Sequence, residues 1–330
     1  MTSDMTELQN RLGAESPPIH HLIDPGSIQY FADSIMDPDP RYRIPSTTES
    51  DRPSGMVAPP TFFGSAMGLR DIPAGDPRTM SALDLPLPRG WATIATGDEF
   101  EFYRPVRSGM TLVSRERFID FYEKRGRSGR LIFYTLEKTF STSTGQPVMR
   151  RVLYCAAREP IPAIDDGLRD TRVTGSVERD ASVPTLTVGP VTVRYLAMFA
   201  TATAEFVDIH YDADFARSVG LPGPIIQGLY KTALVARMLK DWTGDGALLR
   251  SLKVEHRRMD LAGSVLTVGG NFTQRSPGDA TDELKCDVWV RNQDGVVTTC
   301  GSARVARSID TKELARQAIP TNDSKEHFPQ

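Results

Sequence analysis

Three carboxylates and an imidazole stand close together in the second half of the chain, in the run Ala204-Glu205-Phe206-Val207-Asp208-Ile209-His210-Tyr211-Asp212. Imidazole changes charge near neutral pH, and its pairing with a carboxyl group is the common equipment for moving protons to and from a neutral substrate. Glu205 and His210 are an odd number of residues apart. A regular strand would turn them to opposite faces, whereas a loop lets them converge on one pocket. Asp208 has three open readings: orienting the imidazole, serving as the acid itself, or capping the loop. Further on, Pro224-Ile225-Ile226-Gln227-Gly228 reads as the opening of a helix. The unpaired N–H groups at such an opening suit negative charge growing on a carbonyl oxygen, and glycine lets a ligand approach the backbone. Ile226, Gln227 and Gly228 are therefore the candidate oxyanion and substrate-binding positions, with Gln227 either bonding the ligand or filling a polar helix start. Asp212 reads as the cap of the short helix after it. Chemistry of this kind calls for neither metal nor redox cofactor.

The surrounding pattern shows what must hold these groups. Tyr195 to Thr203 leads toward the site, and Asp212 to Val219 reads as a short helix ended by Gly220. Ile225 to Trp242 carries Leu229, Ala233, Ala236 and Leu239 at helical spacing, with Gly244 just past its end. The segments 250–256, 265–273, 283–291 and 296–307 alternate or run apolar as strands, separated by turn residues such as Ser276-Pro277-Gly278-Asp279. One long helix wrapped by an antiparallel sheet is the economical packing.

An internal repeat extends this reading to the first half. Glu101, Arg104, Gly109 and Leu112 align without gaps on Glu255, Arg258, Gly263 and Leu266. Upstream, Phe31-Ala32 followed by Asp37 and Tyr42 matches Phe199-Ala200 followed by Glu205 and His210. Ala58-Pro59-Pro60-Thr61-Phe62-Phe63 is expected to open a first-lobe helix as Pro224 opens the second. With Tyr42 in place of the histidine, the first lobe is expected to be catalytically silent, and Met56 to Met67 to line a tunnel. An ion pair in each lobe, Glu101 with Arg104 and Glu255 with Arg258, explains the repeated arginines.

The expected fold class is α+β with two fused lobes. The expected organisation is a loose tail at 1–20, a first lobe at 21–158, a connecting segment rich in Pro, Gly, Asp and Ser at 159–190, a second lobe at 191–307 and a loose tail at 308–330. A chain of 330 residues is longer than one compact core usually grows. The net charge of -3 offers no basic stripe for nucleic acid. Cys155, Cys286 and Cys300 form no CxxC pair, which points to a reducing compartment, and no apolar run suggests a leader or a membrane span. A cytoplasmic location is expected.

The stretch from Ala204 to Gly228 resembles the signature of MaoC-like dehydratases and R-specific enoyl-CoA hydratases. That family reads S/T-G-D-x-N-P-I-H and then G-x-x-x-P-I-x-H-G at the start of a central helix, and residues 25 to 307 fit its two-lobe version, the double hotdog. His210 matches. Glu205 stands where the family has Asp, Val207 for Asn, Asp208 for Pro and Gln227 for His. The resemblance implies reversible syn addition of water to a trans-2-enoyl-CoA thioester. Glu205 and His210 would activate the water and shuttle a proton, and a backbone N–H at Gly228 would hold the thioester oxygen. Coenzyme A would enter as part of the substrate. Two other readings stay open: a non-catalytic acyl-CoA-binding or partner hotdog subunit, and a hotdog thioesterase. A homodimer and a partner subunit are likewise both open.

Overall fold

The computed structural model describes residues 3–44, 55–63, 83–88, 90–126, 129–159, 182–244, 247–276 and 281–308. In the first lobe these form α1 (Ser3–Arg11), β1 (Ile19–Leu22), α2 (Pro25–Ser34), a 3-10 turn (Pro40–Tyr42), β2 (Ala92–Phe102), β3 (Thr111–Gly126), β4 (Gly129–Thr142) and β5 (Pro147–Arg158). The second lobe follows with β6 (Val183–Val188), α3 (Val193–Thr203), a 3-10 turn (Asp208–His210), α4 (Ala213–Ser218), α5 (Gly228–Thr243), β7 (Ala247–His256), β8 (Leu266–Ser276), β9 (Thr281–Asn292) and β10 (Val297–Ser308).

The ten strands among the described residues form one sheet in the order β1-β3-β4-β5-β2-β7-β10-β9-β8-β6. Read outward from the central β2–β7 pair, the two halves have the same connectivity, so the repeat in the sequence is a repeat in the fold. Loop hydrogen bonds repeat with it. Ala58 N donates to Val106 O and Gly109 N to Ile23 O in one lobe, and Ile226 N donates to Asp260 O and Gly263 N to Val191 O in the other. The lobes join where β2 and β7 pair antiparallel, from Gly97 opposite Glu255 to Glu101 opposite Ser251. Gly97 permits this join, because a Cβ there would lie 2.7 Å from the Val254 carbonyl oxygen.

α5 is the central element. Every residue from Leu229 to Leu239 is buried, a helix enclosed on all sides rather than one with a wet face. β2 and β6 to β10 all pack against it. Smaller elements begin where their caps dictate. Asp24 accepts from Ser27 N at the start of α2, and Asp212 accepts from Asp214 N and Phe215 N, both at 2.9 Å, at the start of α4.

Several boundaries move. Much of the expected tail at 1–20 is folded: α1 buries Leu8 completely, and His20 of β1 sits opposite Val113 of β3. Apolar residues of α1 (Met5, Leu8) fill a core cluster with Phe118, Tyr134 and Leu136, a small contact that composition hides. Within the expected connecting segment 159–190, β6 pairs with β8 and belongs to the second sheet half. Residues 160–181 and 309–330 lie outside the described ones. So does the helix expected after Phe63; the described part, 55–63, is loop with a single bridge from Val57 to Arg107. The expected ion pairs give way to others. Glu101 meets the Tyr103 hydroxyl and Arg150, Arg104 bonds Gln146, and Glu255 meets Arg257 at 2.9 Å. Among the described residues no helix is long and apolar enough to cross a membrane.

Candidate active site

The segment before α5 does not behave as a helix start. Ile225 N donates to Ile209 O, Ile226 N to Asp260 O, and Ala262 N to Pro224 O. These bonds stretch Pro224 to Ile226 between two loops, so α5 opens at Gly228 with Gln227 as its cap, three residues later than the proline suggests. The displacement has a chemical result. Freed from a helical ladder, the Ile225 carbonyl oxygen accepts from His210 Nδ1 at 2.8 Å.

A carbonyl can only accept, so Nδ1 carries the proton and Nε2 keeps a lone pair. His210 is only 7% exposed, and this burial lowers its pKa from 6.5 to about 4. The ring is thus a neutral base with one tautomer fixed. It lines a cavity of about 200 Å³ together with Glu205, Val207, Ile226, Gln227, Gly228, His256 and, from the first lobe, Ile94, Ala95 and Arg151. The cavity therefore sits at the seam of the two lobes and faces the first turn of α5, where the backbone N–H groups have no helical partner.

Of the positions singled out by sequence, Glu205, His210, Ile226, Gln227 and Gly228 come together on this cavity. Asp208 does not line it. The segment Asp208–His210 is a 3-10 turn, in which residues two apart point in different directions, and the Asp208 carboxylate accepts from the Tyr211 hydroxyl at 2.9 Å. One N–H of the Gln227 amide donates to Leu196 O at 2.9 Å, which fixes the orientation of the side chain. Its buried Oε1 has no hydrogen-bond partner among the described residues, which leaves an acceptor suited to a bound N–H or O–H.

Glu205 Oε1 takes a 2.6 Å bond from Arg151 Nη1. The other side of the same guanidinium holds the fully buried Asp98, with Nε and Nη2 both 2.8 Å from Oδ1. Asp98 Oδ2 accepts from Thr232 Oγ1 at 3.1 Å and lies 3.2 Å from His256 Nε2. Arg151 and His256 depress the Asp98 carboxyl to about 2 against the opposing effect of burial, which is the largest single influence. The His256 ring lies against Gly228, where a Cβ would come within 2.6 Å of Cδ2. Lys231, buried and lining the same cavity, donates to Asp260 Oδ2 at 3.0 Å and to Arg258 O at 2.9 Å.

Arg151, Asp98, His256 and Lys231 were missed in the sequence. The available signal was the pair Arg150-Arg151 inside an otherwise apolar strand: alternation forces one of the two to face inward. Arg151 is the buried one.

A second cavity of about 650 Å³ occupies the pseudo-symmetric position, lined by Tyr42, Met56, Ala58, Pro60, Phe102 and Leu249, among others. It shares no lining residue with the first and reaches Lys240 and Gly244, at the C-terminal end of α5. Gly228 and Gly244 are about 24 Å apart along a helix rising 1.5 Å per residue. The tunnel expected of Met56 to Met67 is thus, for its described part, a separate cavity. Tyr42 stands in it where His210 stands in the other. Burial raises the Tyr42 hydroxyl to about 12, which provides no base at neutral pH.

Comparison with known proteins agrees with this architecture. Residues 10–151 match the family described as FAS1-like, dehydratase domain region, and residues 177–290 match the MaoC like domain. A UPF0336 protein of Thermobifida fusca is 30% identical over 139 residues, 41% of this chain and 83% of that protein. A protein of Mycobacterium tuberculosis named 3-oxo-4,17-pregnadiene-20-carboxyl-CoA hydratase beta subunit is 31% identical over 84 residues, 26% of this chain and 65% of its own length. Among solved structures, a MaoC-like dehydratase superposes with a TM-score of 0.67 at 16% identity, covering 92% of this chain and 100% of that one. A Mycobacterium tuberculosis protein described as having a double hotdog fold superposes with a TM-score of 0.59 at 12% identity, covering 90% and 96%. A duplicated sheet, a buried helix in the second half and an imidazole facing that helix's first turn are thus joined by two consecutive family matches, and the chain belongs to the MaoC-like double-hotdog dehydratase family.

Proposed function

We propose that this protein catalyses reversible hydration of a trans-2-enoyl-CoA to a 3-hydroxyacyl-CoA. The observation that carries the reading is His210, whose Nδ1 is committed to Ile225 O while its neutral Nε2 is left in a cavity at the opening of α5. Water held between Nε2 and the Glu205 carboxylate gives up a proton as its oxygen bonds to the β-carbon. The electron pair of the double bond moves to the thioester oxygen, where a Gly228 N–H at the start of α5 stabilises it. The same proton then passes to the α-carbon, so one water is added and no electron is gained or lost. Metal and redox chemistry have no part in these steps, and coenzyme A belongs to the substrate. The relative named as a CoA hydratase subunit is in keeping with this assignment.

The test is incubation of the pure protein with crotonyl-CoA and longer enoyl-CoAs. Loss of enone absorbance without release of free thiol is expected, and His210→Ala should lower the rate at least about a hundredfold, the scale of a lost general base. Thiol release would instead indicate a thioesterase. Tight binding with no reaction at any chain length would make the protein a non-catalytic acyl-CoA-binding subunit.

A further inference from the structure

The first lobe lacks an imidazole where the second has His210, yet two of its strands reach into the His210 cavity. β2 supplies Ile94 and Ala95 and β5 supplies Arg151, and the guanidinium joins the fully buried Asp98 of β2 to Glu205 across the lobe seam. Thr232 of α5 and His256 of β7 complete the contacts of Asp98. As a device for stability this network is a poor choice, because taking each ion out of water costs several kcal/mol, and well-packed apolar residues often do as well.

The fold contains its own comparison. Tyr103 N bonds Val148 O just as Arg257 N bonds Thr298 O, which fixes the equivalence of β2–β5 with β7–β10. By these registers Asp98, Arg151 and His256 correspond to Leu252, Gly301 and Phe102. None of these three counterparts is charged, and Asp37, the counterpart of Glu205, is held instead by Lys240 of α5 at 3.1 Å. The arginine reaching from a strand of one lobe to the carboxylate of the other therefore stands at the His210 site, and its counterpart at the other cavity is Gly301.

We propose that Arg151 is the positioning residue of Glu205: the first lobe holds the carboxylate of the second lobe's site, and glutamate rather than the shorter aspartate stands at 205 because it must span the seam to the guanidinium. Its kinetic consequence rests on the hydratase reading; its structural consequence does not.

The test compares crystal structures and rates of the wild type, Arg151→Gln and the double variant Asp98→Asn/Arg151→Gln. The double variant removes the charge that the single one strands, so it keeps the test alive should Arg151→Gln fail to fold. In both variants the Glu205 carboxylate should leave its place by about 1 Å or more, while the His210 to Ile225 bond persists. A displacement of that size can cost about a hundredfold in rate. A Glu205 that keeps its place overturns the proposal, whatever the protein hydrates. If the wild type is active, Arg151→Gln should lower kcat about a hundredfold with KM little changed, and Arg151→Lys should restore part of the loss. Glu205→Asp should cost about tenfold in the wild type and nothing further in the double variant, the non-additivity expected of coupled groups. Fully additive losses overturn the proposal. A wild type inactive toward every enoyl-CoA ends the hydratase reading alone, and the coordinates of Glu205 still decide this one.

Discussion

His210 Nδ1 lies 2.8 Å from the carbonyl oxygen of Ile225, and this one bond determines which nitrogen is available for chemistry. The bond exists because Pro224 to Ile226 are held extended between two loops rather than wound into α5. A desolvated imidazole of this kind is unprotonated throughout the neutral range.

The first prediction concerns pH and rate. With the pKa of His210 lowered to about 4, kcat/KM for enoyl-CoA hydration should stay level from pH 8 to about pH 5 and fall only on approach to pH 4. A stopped-flow profile with its acid limb between pH 6 and 7 would show that the working base is not this buried ring.

Gly228 supplies a second test. Alanine is a better helix former than glycine by up to about 1 kcal/mol, so an idle helix-start glycine should tolerate the change or gain stability from it. Here the new Cβ would lie 2.6 Å from His256 Cδ2 and 2.7 Å from Nε2. Gly228→Ala should therefore push the ring away and disturb the N–H groups facing the cavity, with a rate loss of about tenfold or more. A stabilised variant of full activity would remove Gly228 from the site.

The second lobe was largely legible in sequence, because its strongest signals are local. Helical spacing from Leu229 to Leu239, the glycine at 244 and the cap at Asp212 each act over a few residues. The repeat supplied the architecture of the first lobe through Glu101, Arg104, Gly109 and Leu112. What sequence did not reveal depends on contacts between distant segments. Arg151 and Glu205 meet across a seam, His256 is adjacent to Gly228 only once β7 packs against α5, and α1 looks like a polar tail until Leu8 finds its cluster. Asp208 shows the converse: two residues from the histidine in sequence, it is turned away by one 3-10 turn.

Lys231 and Asp260 form a buried pair at 3.0 Å, with side chains 2% and 0% exposed. Asp260 also accepts from the Thr298 hydroxyl at 2.7 Å. Lys231→Met would leave a carboxylate without its cation in the interior, a change expected to cost about 3–5 kcal/mol. Lys231→Met/Asp260→Asn removes the stranded charge and keeps an acceptor for Thr298, so it should recover more than half of that loss in urea denaturation. Two variants of equal stability would mean that the pair contributes shape and not charge compensation.

Acid sensitivity follows from two histidines. Burial, the largest cause in both, lowers His210 and His21 to about 4, and Lys138 adds to the effect at His21. A group whose folded pKa lies below its unfolded value binds protons more readily when unfolded. Its contribution to stability is intact above the unfolded value near 6.5 and is lost as pH falls toward the folded value near 4. For His210 a displacement of this size corresponds to roughly 3 kcal/mol. Urea denaturation of the wild type should thus show stability falling between pH 6.5 and pH 4. Replacement of His210 by glutamine removes that titration while leaving a side-chain N–H for the Ile225 carbonyl. His210→Gln should lose less stability than the wild type over the same interval, by roughly 2 kcal/mol or more if the ring is as dry as its contacts indicate. Parallel curves for the two proteins would mean that the ring is protonated inside the fold without penalty, and the neutral base on which the hydration chemistry depends would be lost with it.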